Sequence, residues 1–507
     1  MIKGFSTAPG TEAYSKRFSD ISFSRLGRTN LTVSLGGFGC YRVDRSVEDH
    51  FTAMSLALKS GVNLIDTSSN YSDGASEELV GAVLTSLIES GDLRREEVVV
   101  ITKAGYLQGG NLRVKQQREA EGKPFPDLVP YDLNLEHCIH PDFLEDQINR
   151  SLNRLSLQSV DVFLLHNPEY YLGWANKQGI PLKDARDEYH SRIDSAFRYL
   201  EWEIADGRIK SYGISSNSFP ATPEDYQFTS LEKIWTIAEA ISPSHSFKVI
   251  QFPMNLFERQ AITAINQSEN RSLIDFARHT DLGTLINRPL NAFVNNKLIR
   301  LASVEQPDPI REDKLIKYLD DLMASEKTFR DSLIFSLPLD DRIRAQLIDF
   351  LCPANTLSQH WKNFANYTQW YQVLTQHYSP QFDQAVDYLQ NLDLPIPLSY
   401  WLDNHIDQLQ RVIRAIDSFY KLEASETASK IMDIVSATDK DWRDASNLSR
   451  TAFRALSSTL GVSSVLVGMR QEAYLRDILT ELRVKTEQKD RKSSWMDLDQ
   501  DLKASRF

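Results

Sequence analysis

Cysteine is scarce in this sequence: Cys40, Cys138 and Cys352 are the only three, far apart and without a CxxC pair. That argues against a disulfide framework or a structural zinc site and fits reduced thiols. Long apolar runs are lacking too. Nothing approaches the roughly 18 consecutive apolar residues of a membrane span, and the opening MIKGFSTAPGTEAYSKRF has no apolar core of a secretory signal. The third absence is a basic excess. Lys and Arg number 57 against 69 Asp and Glu, a net charge of −12, which argues against a nucleic-acid partner. No short-period repeat of the solenoid type is visible. The chain is therefore expected to be cytoplasmic, with no membrane and no nucleic-acid partner. Length and apolar content, by contrast, are ample: 507 residues at 41% apolar are enough for a large barrel and a second domain.

Short apolar runs are what the sequence does contain. Val62 to Ile65, Val98 to Ile101 and Val160 to Leu165 lack the polar alternation of a half-exposed strand. They read as strands of a parallel sheet buried on both faces. LGRTNLTVS reads as a hairpin or cap, and SLGGFGC as a first strand ending in glycines. Ser46 is the expected N-cap of the helix that follows, and Gly61 its stop. Further strands are expected at IKSYGIS, FKVIQF, LGTLINRPL and VSSVLVG, with helices between most of them. Eight strands in such alternation specify an α/β fold, the (β/α)8 or TIM barrel.

Two departures enlarge the barrel. Residues Gly105 to His140 mix Gly, Pro and charge over a length typical of a lid, a binding loop or a disordered segment. Between Leu290 and Val462 stand roughly 170 residues where one barrel unit needs a few tens. Leu402, Ile406, Leu409, Val412, Ile413, Ile416, Phe419 and Tyr420 recur there at helical steps. The stripe reads as the core of an inserted all-α subdomain rather than a partner groove. The expected division is residues 18–300 for the first barrel part, 301–440 for the helical insertion, 441–485 for barrel completion and 486–507 for a polar tail. That tail, charged and poor in aromatics, is expected to be mobile or loosely docked.

Polar residues stand at or just beyond the ends of the apolar runs: Asp66 and Tyr71, Lys103, and His166. Taken singly, each suits a turn, a packing contact or the surface. At successive strand ends they converge on one barrel mouth and can protonate a carbonyl. A free phenol has a pKa of about 10. An ammonium about 4 Å away is worth roughly 4 kcal/mol, or about three pKa units, as an upper limit that burial reduces. Lys103 is expected to lower Tyr71 in this way, Asp66 to hold Lys103 charged, and His166 to orient a substrate oxygen. An aldolase with Lys103 as Schiff-base amine is disfavoured, because Asp66 keeps that amine protonated. Gly36-Gly37-Phe38-Gly39 is read as a tight turn, not a dinucleotide fingerprint.

GVNLIDTSSNYSDGASEELVG, VVVITKAG, VDVFLLHNPE, KSYGISSN, IQFPMN, NRPL and SSVLVGMR together resemble, in order and spacing, the aldo-keto reductase superfamily. The resemblance covers Phe18 to Asn291 and Asn447 to Leu482. It implies a catalytic tetrad of Asp66, Tyr71, Lys103 and His166, and reversible hydride transfer between NADP(H) and a small carbonyl or alcohol, without a metal. It also implies that Gln251 binds the nicotinamide carboxamide together with Ser216 and Asn217, or the pair one residue earlier. Arg288, Pro289 and Leu290 would lie by the pyrophosphate, and Gly468, Met469 and Arg470 by the adenosine 2′-phosphate at a helix N-terminus. Asn287 replaces the aromatic residue on which nicotinamide often stacks. Asp477 and Ile478 stand where adenine is commonly bound, and Tyr474 offers a stacking surface. The implied activity is NADPH-dependent reduction of an aldehyde or ketone, with specificity from 105–140, 169–190 and the insertion. The other reading is an NADP(H)-binding interaction module whose helical insertion engages a protein partner.

Overall fold

Eight parallel strands close into a barrel in the computed structural model, which describes residues 1–294, 297–304, 307–443, 445–485 and 487–505. They are β1 (Gly36–Gly39), β2 (Leu64–Asp66), β3 (Val99–Ala104), β4 (Val160–His166), β5 (Ile209–Ser215), β6 (Phe247–Pro253), β7 (Gly283–Asn287) and β8 (Ser464–Val467). Each pairs with its sequence neighbour, and β8 returns to β1. All residues of β2, β3 and β4 are buried, as unbroken apolar runs require. Helices such as Ala75–Glu89, Pro141–Leu155 and Leu182–Asp206 lie between the strands in sequence.

The barrel interior shows which strand face points inward. Leu64, Val99, Ile101, Val162, Leu164, Val249, Leu285 and Leu466 form one buried cluster with Leu26, Leu31 and Val33. The last three belong to the antiparallel hairpin of Phe23–Arg25 and Thr32–Ser34 and its turn. That turn lies against the start of β7: a Cβ on Gly27 would sit 2.2 Å from Gly283 N. The hairpin therefore stoppers the N-terminal mouth, leaving the C-terminal mouth for chemistry.

One glycine is needed inside the barrel wall. A Cβ on Gly213 in β5 would lie 1.8 Å from the Val249 carbonyl oxygen, where the β5–β6 register slips. Gly213→Ala is expected to destabilise the fold by about 3 kcal/mol, as overpacking does when the obstacle is backbone. An unshifted urea midpoint would contradict this.

Several local expectations are corrected. Ser46 is not an N-cap: the helix runs Glu48–Lys59 with Val47 before it, and the Ser46 hydroxyl donates to Asp44 Oδ1 at 2.7 Å. Glu48 and Asp49 supply the favourable charge in that first turn instead. Residues 105–140 are not a long loop. They form a three-stranded antiparallel sheet of Tyr106–Leu107, Val129–Asp132 and Leu135–His137 beside the helix Gly110–Ala120. Buried Leu107, Phe125, Val129 and Cys138 anchor it, too few and too spaced to show through the charged background.

Nor is the polar tail loose. Lys492–Ala504 is a helix whose Trp495, Leu498 and Leu502 are buried at helical spacing. Trp495 lies 5.0 Å from the Trp442 ring and donates to Thr459 Oγ1 at 2.9 Å. Arg491 pairs with Asp439 at 2.7 Å and Asp441 at 3.0 Å. Three apolar residues suffice to dock a helix when the intervening charges find partners.

The chain forms two compact units, residues 1–294 with 434–507, and residues 295–433. The second is helical, from Glu312–Asp331 to the long helix Ile396–Thr438. Most of its stripe faces inward: Leu402, Leu409, Val412, Ile416 and Tyr420 are buried and Ile406 and Ile413 half-buried, whereas Phe419 is 39% exposed. Two apolar cores result, one around Leu319, Trp370 and Ile416, the other around Phe329, Leu351 and Trp401.

Two buried ionisable groups couple this unit to pH. Glu326 accepts Ala354 N–H with both oxygens at 3.1 Å, and burial pushes its carboxyl up to about 8. His405 stacks on Trp401, and burial pulls it down to about 4. Glu326 thus stays protonated in the fold where the unfolded chain ionises, so stability falls as pH rises from about 4.5 towards 8. His405 acts oppositely: the unfolded chain takes up its proton first, and stability falls as pH drops from 6.5 towards 4. Between pH 6.5 and 8 only the glutamate slope remains, and Glu326→Gln is expected to remove about 2 kcal/mol of pH-dependent loss. Urea unfolding at the two pH values checks it; equal slopes in both proteins would contradict it.

Candidate active site

Strand parity carries the inward face from core to chemistry. Two residues beyond the core members Leu64, Ile101, Leu164, Val249 and Leu285 stand Asp66, Lys103, His166, Gln251 and Asn287. Gly213 leads in the same way to Ser215, whose register partners are His166 and Gln251. These positions lie at the C-terminal ends of their strands, so they share one mouth.

Lys103 Nζ, fully buried, donates to Asp66 Oδ2 at 2.8 Å and to the Thr67 carbonyl at 2.8 Å, and lies 3.4 Å from Tyr71 Oη. Burial alone would lower the Lys103 ammonium, but Asp66 and the Tyr71 oxygen together hold it above the usual lysine range. Tyr71 departs from expectation. Desolvation of its hydroxyl outweighs the pull of Lys103 and pushes it up to about 12 rather than down. His166 is also buried, and burial, helped by Lys103 and His137, keeps its imidazole well below the ordinary range and neutral. Its Nδ1 is engaged by Ser68 Oγ at 3.0 Å, which leaves Nε2 for a ligand.

Tyr71 is held by a strained turn. Ser72 and Asp73, which follow it, have φ of 48° and 52°, left-handed values that cost a non-glycine residue energy. Ser72 Oγ donates to the Val43 carbonyl at 2.8 Å, and Asp73 Oδ1 accepts Gly110 N–H at 2.8 Å. Both bonds pin the turn. Rings then surround the hydroxyl-bearing side chain: Tyr41 at 5.3 Å and His166 at 5.9 Å, both edge-on. Tyr106 meets His166 at 4.7 Å and Tyr170 at 5.2 Å, and Tyr131 stacks on Tyr170 at 4.2 Å. Tyr106 and Tyr131 come from the 105–140 sheet, which supplies one wall of the mouth.

Gln251 joins the same network. Its Nε2 donates to Asp66 Oδ1 at 2.8 Å, and its Oε1 accepts from Ser215 Oγ at 2.9 Å and Asn287 Nδ2 at 3.5 Å. Of the two registers, the earlier one puts a side chain on Gln251: Ser216 meets it only through the backbone, its N–H donating to the Gln251 carbonyl at 3.0 Å, and Asn217 turns elsewhere. Ser216 Oγ turns to Ser218 and Thr229, and Asn217 N–H donates to Glu169 Oε1 at 2.7 Å. Alternation along β5 permits only one of two adjacent serines to face inward, and that one is Ser215. Glu169, beyond the end of β4, carries no motif that would single it out by spacing. It is buried, its Oε2 is unpartnered, and burial pushes it up to about 7.

The remaining positions follow β7 and β8. Arg288, at φ 53°, pairs with Glu258 at 3.0 Å, and its backbone oxygen accepts from Asn255 at 3.2 Å. Buried Pro289 and half-buried Leu290 continue that turn. Gly468 is exposed, and a Cβ there would meet nothing within 4 Å. Met469 is buried, and Arg470 is half-exposed without a carboxylate partner among the described residues. The helix Glu472–Leu482 starts directly after them with no side-chain cap, so its first N–H groups remain available. Tyr474 is 37% exposed, whereas the Asp477 carboxylate already accepts Asn447 Nδ2 at 3.2 Å. Among the described residues no group of three or more His, Cys, Asp or Glu could hold a metal, and no helix is long and apolar enough to cross a membrane.

Comparison with known proteins gives a family. The D-threo-aldose 1-dehydrogenase of a Pseudomonas species is 29% identical over 193 residues, 37% of this chain and 51% of that protein. The NADH-specific methylglyoxal reductase of Escherichia coli is 30% identical over 216 residues, 43% of this chain and 55% of that protein. The chain thus spans about half the length of these curated relatives. An aldo/keto reductase of Klebsiella pneumoniae, solved with NADP and acetate, is 17% identical over 53% of this chain and 68% of its own, at a TM-score of 0.32. The model of the Aldo/keto reductase family matches residues 33–322, more than half of the sequence. This chain belongs to the aldo/keto reductase family.

Proposed function

We propose that the protein is an NADPH-dependent reductase of a small aldehyde or ketone, with Tyr71 as the proton donor. The observation that carries this reading is the chain from buried Asp66 and Lys103 to half-buried Tyr71, with contacts of 2.8 and 3.4 Å at the barrel mouth. When bound, reduced nicotinamide supplies a hydride to the carbonyl carbon. Tyr71 Oη gives its proton to the carbonyl oxygen, and Lys103 steadies the phenolate that remains. A hydroxyl held at about 12 keeps its proton at neutral pH and yields it only to the much more basic developing alkoxide. Asp66 keeps Lys103 charged, and His166 Nε2 orients the substrate oxygen.

The residues present suit the cofactor. Asn287 Oδ1 and Arg288 Nε are buried without partners at the end of β7, and Gly468 leaves an open backbone cradle. Ser215, Gln251 and Asn287 would take the carboxamide, Arg288 to Leu290 the pyrophosphate, and Gly468 to Arg470 with the helix N-terminus the 2′-phosphate. Tyr474 would stack on adenine. Preference for NADPH over NADH rests on Arg470, the cation in front of that helix.

A panel of aldehydes and ketones tested with each reduced nicotinamide checks the proposal: carbonyl-dependent oxidation is expected, faster with NADPH. No carbonyl-dependent oxidation with either cofactor would overturn it. Arg470→Ala is expected to raise the KM for NADPH by about tenfold to a hundredfold, the value of a charge-assisted phosphate contact, and to leave NADH unchanged.

A further inference from the structure

We infer that Glu169 is a positioning residue for the cofactor, a role that rests on the proposed seating of the nicotinamide carboxamide at Ser215 and Gln251. It holds the turn 215–218 against Gln251. That turn is polar throughout, Ser215, Ser216, Asn217 and Ser218 in succession, and the next apolar anchor is buried Phe219. With no apolar side chain of its own to pack, the turn is placed by hydrogen bonds. On one side Ser215 Oγ donates to Gln251 Oε1 at 2.9 Å, and Ser216 N–H to the Gln251 carbonyl at 3.0 Å. On the other, Asn217 N–H donates to Glu169 Oε1 at 2.7 Å.

The chain beyond β4 is bent so as to bring that carboxyl there. Asn167 follows His166 at φ 51°, a left-handed value that Asn adopts more readily than most residues. Its N–H donates to the Ser215 carbonyl and its Nδ2 to Tyr106 Oη, both at 2.7 Å. The bend is therefore fixed to β5 and to the 105–140 sheet before Glu169 is reached. Glu169 then stands at the start of the helix Tyr170–Lys177, where an acid ordinarily serves the free N–H groups of its own helix. Its side chain makes no such cap. It reaches instead an N–H 48 residues along the chain, and it is only 3% exposed. Burying a carboxyl is unfavourable, and burial pushes this one up to about 7. A surface cap would avoid that cost, so the contact with the cofactor turn is what the placement achieves.

Loss of the acceptor would strand the Asn217 N–H and free one side of the turn. The nicotinamide seat should suffer, whereas the segments proposed for the pyrophosphate and 2′-phosphate, after β7 and β8, make no bond to Glu169 among the described residues.

Titration of the full chain with NADPH and with 2′-phospho-ADP-ribose, which lacks only the nicotinamide, tests this. Glu169→Met keeps the length of the side chain without an acceptor and should weaken NADPH about tenfold. Glu169→Asp, too short to reach Asn217, should weaken it in the same direction. Both should leave the affinity for 2′-phospho-ADP-ribose unchanged. Glu169→Gln retains the acceptor and should bind NADPH as wild type does. The inference fails if the Met and Asp variants bind NADPH normally, if they lose both ligands equally, as a residue serving the fold alone would, or if Gln is as weak as Met. A wild-type chain that binds neither ligand would overturn the proposed cofactor itself, and this role with it.

Discussion

Tyr71→Phe should lower carbonyl reduction by about 10²- to 10⁴-fold, the usual worth of a positioned proton donor. The substitution removes one oxygen and keeps the ring, so the edge contacts to Tyr41 and His166 persist. Lys103 keeps Asp66 and the Thr67 carbonyl as partners, and the Asp66–Gln251 bond is untouched. Cofactor affinity should therefore hold while kcat falls, which steady-state rates and a dinucleotide titration separate. Turnover near wild type would remove Tyr71 from the mechanism.

Lys103→Met should affect both the fold and the reaction. The ammonium is wholly buried and bonded to a carboxylate that is itself almost buried. Removing one partner of such a pair leaves an uncompensated buried charge and costs about 3–5 kcal/mol. Thr67 also loses the donor to its carbonyl. Activity should fall as well, since nothing else beside Tyr71 would steady its phenolate. The double variant Lys103→Met with Asp66→Asn distinguishes the two losses. It removes the stranded charge, so denaturation should show most of the stability regained, whereas turnover should stay low. Recovery of both would mean that Lys103 serves the fold alone.

These expectations depend on geometry that is only partly written in the sequence. Strands buried on both faces appear as unbroken apolar runs, so the barrel can be read from Val98 to Ile101 and Val160 to Leu165. The polar residues at their ends are equally visible, because an acid or amine after such a run has no apolar neighbour to blend with. Parity is the signal that decides between the two registers left open at Ser215 to Asn217. Counting by twos from the core through Gly213 selects Ser215, yet the adjacent Ser216 and Asn217 look equally suitable when spacing alone is considered.

Other features depend on tertiary context. Whether Lys103 or burial dominates Tyr71 is a contest between a short distance and desolvation, and only coordinates supply both. Residues 105–140 hide a small sheet because its strands are two to four residues long. The C-terminal helix hides its apolar face because Trp495, Leu498 and Leu502 are diluted by charge. Both owe their order to what they pack against, which local propensity does not encode.

Isotope transfer tests the central claim most directly. With NADPH deuterated at the transferring C4 position and an aldehyde the enzyme accepts, the wild-type alcohol should carry deuterium at its carbinol carbon, and its rate should drop when Tyr71 is replaced by Phe. An alcohol without that label, or labelled product formed equally fast by the Phe variant, would contradict the assignment of hydride to the cofactor and proton to Tyr71.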